Sequence, residues 1–278
     1  MRRRALGVAF TLCIWLIGCG EGDLATNSLP SGERLPGQIV ADGAVRAWFS
    51  RYPDGAFFLA GPGDPEDFLY RGVLLPDGTR EGDQHLIIER LRASGANSLY
   101  FQVIRSHGGD GDRTHNPFID HDPANPLNAN VLAQWNEWLT SLEEAGIVVV
   151  MFLYDDSALV WNTGDFVSVR ERQFIRGIVN AFEHHGNIIW AVAEEYGERY
   201  SPRRVSNIAA EIRMADRHGH PIAVHKNTGV DFSELADDPH IDQFAAQLPP
   251  QPPAELHRTT VGLWDTAAGR YNVNVAEM

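Results

Sequence analysis

The chain has 278 residues, of which 44% are hydrophobic and 22% charged, and its formal net charge is −14. These proportions belong to a globular protein and exclude wholesale disorder and collagen-like or coiled-coil fibres. With 37 Asp and Glu against 23 Lys and Arg, a nucleic-acid backbone is excluded as partner, because no surplus of cations exists to displace its counterions.

The first predicted element is an export leader. Arg2, Arg3 and Arg4 precede an apolar run from Ala5 to Ile17, the charged and hydrophobic regions of a secretory signal, and the run is too short for a membrane span. It closes on Leu16-Ile17-Gly18-Cys19, which resembles the lipobox of bacterial lipoproteins. That resemblance implies cleavage after Gly18 and a diacylglycerol anchor on Cys19, hence a membrane as partner. Gly20 in place of Asp implies an outer-membrane or cell-surface position in the bacterial envelope. Cys13 leaves with the leader, so the mature chain forms no internal disulfide. A tether rich in Gly, Ser, Asn and Pro follows. The expected division is 1–18 leader, 19–45 lipidated cysteine and tether, and 46–278 a single folded domain.

Beyond the tether, short apolar runs alternate with helical patterns, as in a parallel α/β sheet. The predicted strands are Ala56–Ala60, Ser98–Ile104, Ile147–Leu153, Ile188–Ala193, Ile222–His225, Ile241–Ala246 and Asn272–Ala276. The predicted helices are Gln84–Ala93, Val131–Ala145, Val167–His184 and one opened by Ser201-Pro202 and ending near His218, with capping residues at their starts and Gly after their ends. A Rossmann sheet is disfavoured, since Gly61-Pro62-Gly63-Asp64-Pro65-Glu66 lacks the third Gly and the following helix. The expected fold is a (β/α)8 TIM barrel. Such a barrel takes about 250 residues, and the seventh run ends close to Met278, so a barrel truncated after strand 7 is expected.

Barrel chemistry gathers at the C-terminal ends of strands. Strand two leads into Arg105, Ser106, His107 and Asp110; strand three ends in Tyr154, Asp155 and Asp156; strand four in Glu194, Glu195 and Tyr196. His225, Lys226 and Asn227 follow strand five, Gln247 strand six, and Glu277 strand seven. Two carboxylates facing one cleft are what glycoside hydrolysis needs, one to protonate the leaving oxygen and one to attack or to activate water. Glu195 with Glu277 is the pair that strands four and seven bring face to face across a barrel mouth.

The run Asn187-Ile188-Ile189-Trp190-Ala191-Val192-Ala193-Glu194-Glu195 resembles the strand-four signature of clan A glycoside hydrolases. The likeness is greatest to glycoside hydrolases that usually carry an N-terminal immunoglobulin-like domain. It extends in order through Phe57–Gly61, Asp77-Gly78-Thr79, Gly108-Gly109-Asp110-Gly111, Leu132-Ala133-Gln134-Trp135, His184-His185 and Gly219–His225. The resemblance implies a carbohydrate substrate and a retaining double displacement, with Glu195 as acid/base and Glu277 as nucleophile. It puts Glu194 where the clan has an Asn that contacts the sugar 2-hydroxyl, and makes His225, Asn227 and Gln247 cleft residues; Asp110, Asp155 and Tyr196 are substrate-binding candidates from their place after strand ends. Trp264 is a candidate for stacking on a sugar ring. Three departures stand out: the immunoglobulin-like domain is replaced by the tether, Tyr154-Asp155-Asp156 replaces a Gln-Glu-Thr-Glu type run, and Tyr196 replaces an Asn. A non-catalytic carbohydrate-binding lipoprotein with a degenerate barrel is the alternative.

Two points stay open in the sequence. Side chains alternate along an ideal strand, which would send Glu194 and Glu195 to opposite faces, whereas a bulge at the strand end brings both into the cleft. No cofactor, metal or protein partner is expected: there is no His-Glu-x-x-His, no phosphate loop and no Gly-x-Ser-x-Gly elbow, and the loop from Asp110 lacks the Gly and Glu of a calcium site.

Overall fold

Six of the seven apolar runs form one parallel sheet. Its strands are β6 (Ser98–Ile104), β7 (Val148–Tyr154), β8 (Ile188–Ala193), β9 (Ile222–Lys226), β10 (Gln243–Gln247) and β11 (Asn272–Glu277), hydrogen-bonded in sequence order. The computed structural model describes residues 33–41, 47–63, 67–227 and 229–277. The leader, Cys19 and most of the tether lie outside them. No helix among the described residues is long and apolar enough to cross a membrane.

Helices α2 (Ala129–Glu144), α3 (Val169–Phe182), α4 (Pro202–Ala215) and α5 (Pro253–Ala267) return the chain between parallel neighbours, and α1 (Gln84–Ser94) precedes β6. Their starts follow from local chemistry. Ser168 Oγ accepts from Glu171 N at 3.2 Å and Ser201 Oγ from Arg204 N at 3.1 Å, each satisfying an orphan donor of a first helical turn. Helix α5 was not anticipated in the sequence reading, and among its residues only Leu263 and Ala267 are buried, too few for a clear apolar stripe. The link from β9 to β10 has no α-helix among its described residues and instead packs Phe232 and Leu235 inward.

The sheet is buried on both faces, as parallel sheets are, and alternation sorts its residues into two cores. Val149, Met151 and Leu153 of β7 pack outward with Ile175, Ile178 and Val179 of α3 and Trp135 and Leu139 of α2. Val148, Val150 and Phe152 pack inward with Ile189, Ala191 and Ala223, and with Ile39 and Phe49 from the N-terminal strands. The curled sheet is therefore a (β/α) barrel wall comprising six strands.

Two sequence expectations are corrected here. Ala56–Ala60 is not a barrel strand. Its first residues belong to β3 (Gly55–Phe57), which with β1 (Ile39–Ala41) and β2 (Phe49–Arg51) makes a separate antiparallel sheet, while β4 (Val73–Leu74) and β5 (Arg80–Glu81) pair as a short antiparallel ribbon. The chain then runs beside β6 without a ladder: Asn97 donates its N–H to Ala60 O at 2.9 Å, and its side chain bonds Ala60 N and Phe58 O at 2.7 and 2.8 Å. Gly61 permits this approach, since a Cβ there would stand 1.7 Å from Ser98 O. Secondly, the fold begins well before residue 46. Gln38 and Ile39 are fully buried, Ile39 N donates to Gly186 O at 2.9 Å, and Gln38 Nε2 donates to His218 O at 2.9 Å. The Gly- and Pro-rich composition concealed a segment whose few apolar residues cap the inner core.

Candidate active site

The C-terminal ends of the six parallel strands converge on a group of carboxylates, and two local distortions bring them together. At the end of β8, Glu195 adopts a left-handed backbone, φ 41° and ψ 46°, uncommon for a residue with a side chain. Strand alternation is broken there, so Glu194 and Glu195 both face the cleft. On β11, Ala246 pairs with Val275 but Gln247 pairs with Glu277, so Ala276 is an extra residue. The bulge turns Glu277 to the same face as Asn272 and Asn274; in an unbroken strand it would point to the opposite side.

Glu194 lies deepest. One oxygen each of Glu194 and Glu277 and a ring nitrogen of His225 lie within 4.8 Å of one another. Gln102 on β6 donates its amide to Glu194 Oε2. Burial and a hydrogen bond shared with Asp155 push the Glu194 carboxyl up to about 9, so at neutral pH it holds a proton. Asp155 is itself 2% exposed and accepts from Arg105 Nε, Asp110 N and Asp156 N, each at 3.0 Å. Those three donors converge on the Asp155 carboxylate and hold it in place beside Glu194.

Glu195 is nearer to solvent. Burial raises its pKa, the negative neighbours Glu198 and Glu277 raise it further, and a hydrogen bond to Gln247 partly offsets them. Its backbone N–H points at His225 Nδ1, 3.5 Å away. His225 is fully buried, and burial lowers its pKa to about 4, so it enters the cleft as neutral imidazole. Burial, with Asp155, Asp110, Glu198 and Glu195 close by, raises Asp156 to about 6.

Three trios have ligand atoms close enough for a divalent cation to gather: Glu194, His225 and Glu277; Asp110, Asp155 and Asp156; and Asp156, Glu195 and Glu198. Carboxylates spaced in this way are common without an ion, and the spacing alone identifies no metal.

Of the residues singled out in the sequence, Glu194, Glu195, His225, Gln247 and Glu277 are brought together, with Asp155 joined to them through Glu194. Asp110 sits at the outer edge, its side chain 74% exposed and 3.9 Å from Arg105. Asn227 packs behind the turn after Glu195, where a Cβ on Gly197 would stand 2.5 Å from its Oδ1. Two expectations are corrected. Tyr196 is 2% exposed and donates its hydroxyl to Glu234 at 2.6 Å, so it braces the cleft from beneath. Trp264 lies on α5, its ring 6.0 Å from that of Trp48 and beside Gln243 and Asn272 at the N-terminal ends of β10 and β11, away from the strand ends that bear the acids. Gln102 and Glu198 were missed. The signal for Gln102 was a long polar side chain two positions after Tyr100, with apolar Phe101, Val103 and Ile104 around it; Glu198 gave none, because loop acids are ordinarily solvated.

No family model matches the chain, and no curated protein matches its sequence. Solved structures do match its fold. A protein designated a glycoside hydrolase, from Bacteroides vulgatus, superposes with a TM-score of 0.65 at 13% identity, covering 87% of this chain and 48% of that one. A glycoside hydrolase family 5 protein from the same organism gives 0.60 at 12% identity, covering 87% and 54%. A β-mannanase from the blue mussel Mytilus edulis gives 0.50 at 13% identity, covering 77% and 74%. The chain thus spans about half the length of the two Bacteroides structures. At such identities the likeness is one of fold.

Proposed function

We propose that this chain is the catalytic barrel of a glycoside hydrolase that cleaves O-glycosidic bonds with retention. The observation that carries the reading is the convergence of Glu195 from β8 and Glu277 from β11 on one cleft, each delivered by its own break in strand geometry. The fold shared with proteins designated glycoside hydrolases supports it.

In the proposed cycle a Glu277 oxygen attacks the anomeric carbon. The glycosidic C–O bond breaks, and its electron pair passes to the leaving oxygen as that oxygen takes the proton of Glu195. The raised pKa of Glu195 suits it to holding that proton at rest. Water then yields a proton to Glu195 and attacks the same carbon, releasing Glu277 and restoring both groups. Two inversions leave the configuration unchanged.

Proton NMR of a cleaved glycan checks this. The first product anomer should have the configuration of the substrate, and Glu277→Gln should abolish turnover while the far-UV spectrum and melting temperature persist. An inverted product, or undiminished turnover in the variant, would refute the mechanism. Export and anchoring through Cys19 belong to the same reading and rest on the leader and the Gly18-Cys19 junction. Cys19→Ser should move the protein from the membrane to the soluble fraction of expressing cells.

A further inference from the structure

The innermost part of the cleft is rich in carboxyl and amide oxygens, and this bears on which sugar suits it. C2 and the ring oxygen are the ring atoms next to the anomeric carbon, so a polar side chain beside the nucleophile meets either the C2 substituent or the ring oxygen. The ring oxygen only accepts hydrogen bonds, and the one proton Glu194 holds is taken up in its hydrogen bond with Asp155. Glu194, with an oxygen within 4.8 Å of one on Glu277, therefore addresses the C2 substituent.

Around Glu194 stand further acceptors. Gln102 is 3% exposed and spends its amide N–H on Glu194, yet its Oε1 is buried with no hydrogen-bond partner. A buried acceptor without a donor is costly, and this one belongs to the amide that already touches Glu194. Farther out, Asp156, Glu195 and Glu198 have oxygens within 4.8 Å of one another. The nearby cations are engaged elsewhere: Arg105 with Asp67 and Asp155, and Lys226 with Glu234 at 3.0 Å. Focused negative potential in a walled cleft attracts a cation.

Resting on the glycosidase reading above, we infer that the sugar bound over Glu277 carries a free 2-amino group, held as ammonium by Glu194 and Gln102 Oε1. An ammonium supplies three N–H donors and a positive charge that no cation at this carboxyl provides. A 2-hydroxyl supplies one donor and no charge. A 2-acetamido group is neutral and brings a carbonyl acceptor to a pocket already full of acceptors. The substrate class is a glycan of 2-amino-2-deoxyhexose units, such as a glucosamine oligomer.

The proton on Glu194 gives the binding event a signature. Ammonium binding favours the carboxylate, so the Glu194 proton is expelled as the sugar enters. His225, Asp155, Gln102, Tyr100 and Glu277 are the groups that face or bond this carboxyl, and none of them supplies a cation to it once its proton is gone.

The test uses the full chain carrying Glu195→Gln, which blocks turnover, titrated calorimetrically with the glucosamine pentamer, its N-acetylated counterpart and cellopentaose. The glucosamine pentamer should bind at least about tenfold more tightly than either neutral oligomer. Repeating the titration in buffers of different ionisation enthalpy should reveal about one proton released. Adding Glu194→Asn should erase the preference while leaving the fold intact by circular dichroism. Equal or tighter binding of a neutral oligomer, or no binding of any of the three, would overturn the inference. Hydrolysis of a neutral glycan with such binding leaves the glycosidase reading intact. Tight glucosamine binding without hydrolysis by the unmutated chain would sink the glycosidase reading alone.

Discussion

The two ends of the barrel wall use the same residue types to opposite effect. At the N-terminal ends of the strands, charged and imidazole groups are mostly paired with opposite partners, although Arg213 Nε, Asn187 Oδ1 and His240 Nδ1 are buried without one. His185 bonds Glu143 at 3.0 Å and Asn136 at 2.9 Å, His220 bonds Asp216 at 3.1 Å and His185 O at 3.0 Å, and Arg213 pairs with Asp242, which also accepts from Ile222 N at 3.0 Å. At the C-terminal ends, carboxylates face one another, and buried atoms of Gln102, Asp156 and His225 lack partners. Satisfied polar networks rigidify a fold. The comparison teaches that pairing of opposite charges marks one end of the wall and the gathering of like carboxylates marks the other.

Substitutions at each end sharpen this contrast. The largest effect is expected at the reactive end: Glu195→Gln should lower turnover of a cleavable glycan by a factor on the order of a hundred to ten thousand, with little change in melting temperature. At the supporting end Asp242→Ala should leave buried Arg213 without its partner and cost about 3–5 kcal/mol of stability in urea unfolding. A stable Asp242→Ala protein would show that the pairing there is dispensable.

The third prediction concerns pH. The Glu194 carboxyl is raised from 4.5 to about 9, so the native state holds a proton that the unfolded chain releases. Stability from this group is complete below the unfolded value and is lost as pH rises toward the folded one. Glu194→Gln should therefore stabilise the protein increasingly between those two values, read as a widening gap in melting temperature. Asp216 behaves in the reverse sense. Burial pushes it up, but hydrogen bonds from His220 and from the backbone outweigh burial and hold it below its ordinary 3.8. Its contribution is present above the unfolded value and lost as pH falls through the lower folded one, so Asp216→Asn should flatten the acid limb of the stability profile. The smallest effect is expected for Trp264→Ala: activity should stay within about twofold of the parent, and a larger loss would return Trp264 to the substrate path.

Much of this architecture was legible in the sequence. Continuous apolar runs such as Val148–Tyr154 and Ile188–Ala193 have little alternative to a doubly buried strand, and Ser168 and Ser201 mark helix starts by a local bond. The positions of Glu195 and Glu277 at strand ends were readable too. What escaped is governed by tertiary contact. Residues 58–61 have the composition of a strand, but Asn97 holds them by side-chain bonds in place of a ladder. Tyr196 and Trp264 have the chemistry of sugar-binding residues, yet Glu234 and Trp48 claim them. Whether Glu194 and Glu195 share a face depended on one backbone angle, which no side-chain pattern encodes.

That angle has a mechanical corollary. Glu194 and Glu195 hang from successive units of one kinked peptide, so the two groups proposed above for sugar recognition and proton transfer move as a single lever. A substitution that slackens the kink, at Gly197 against Asn227 for instance, would shift both together, so selectivity and rate in this cleft should drift in step under mutation.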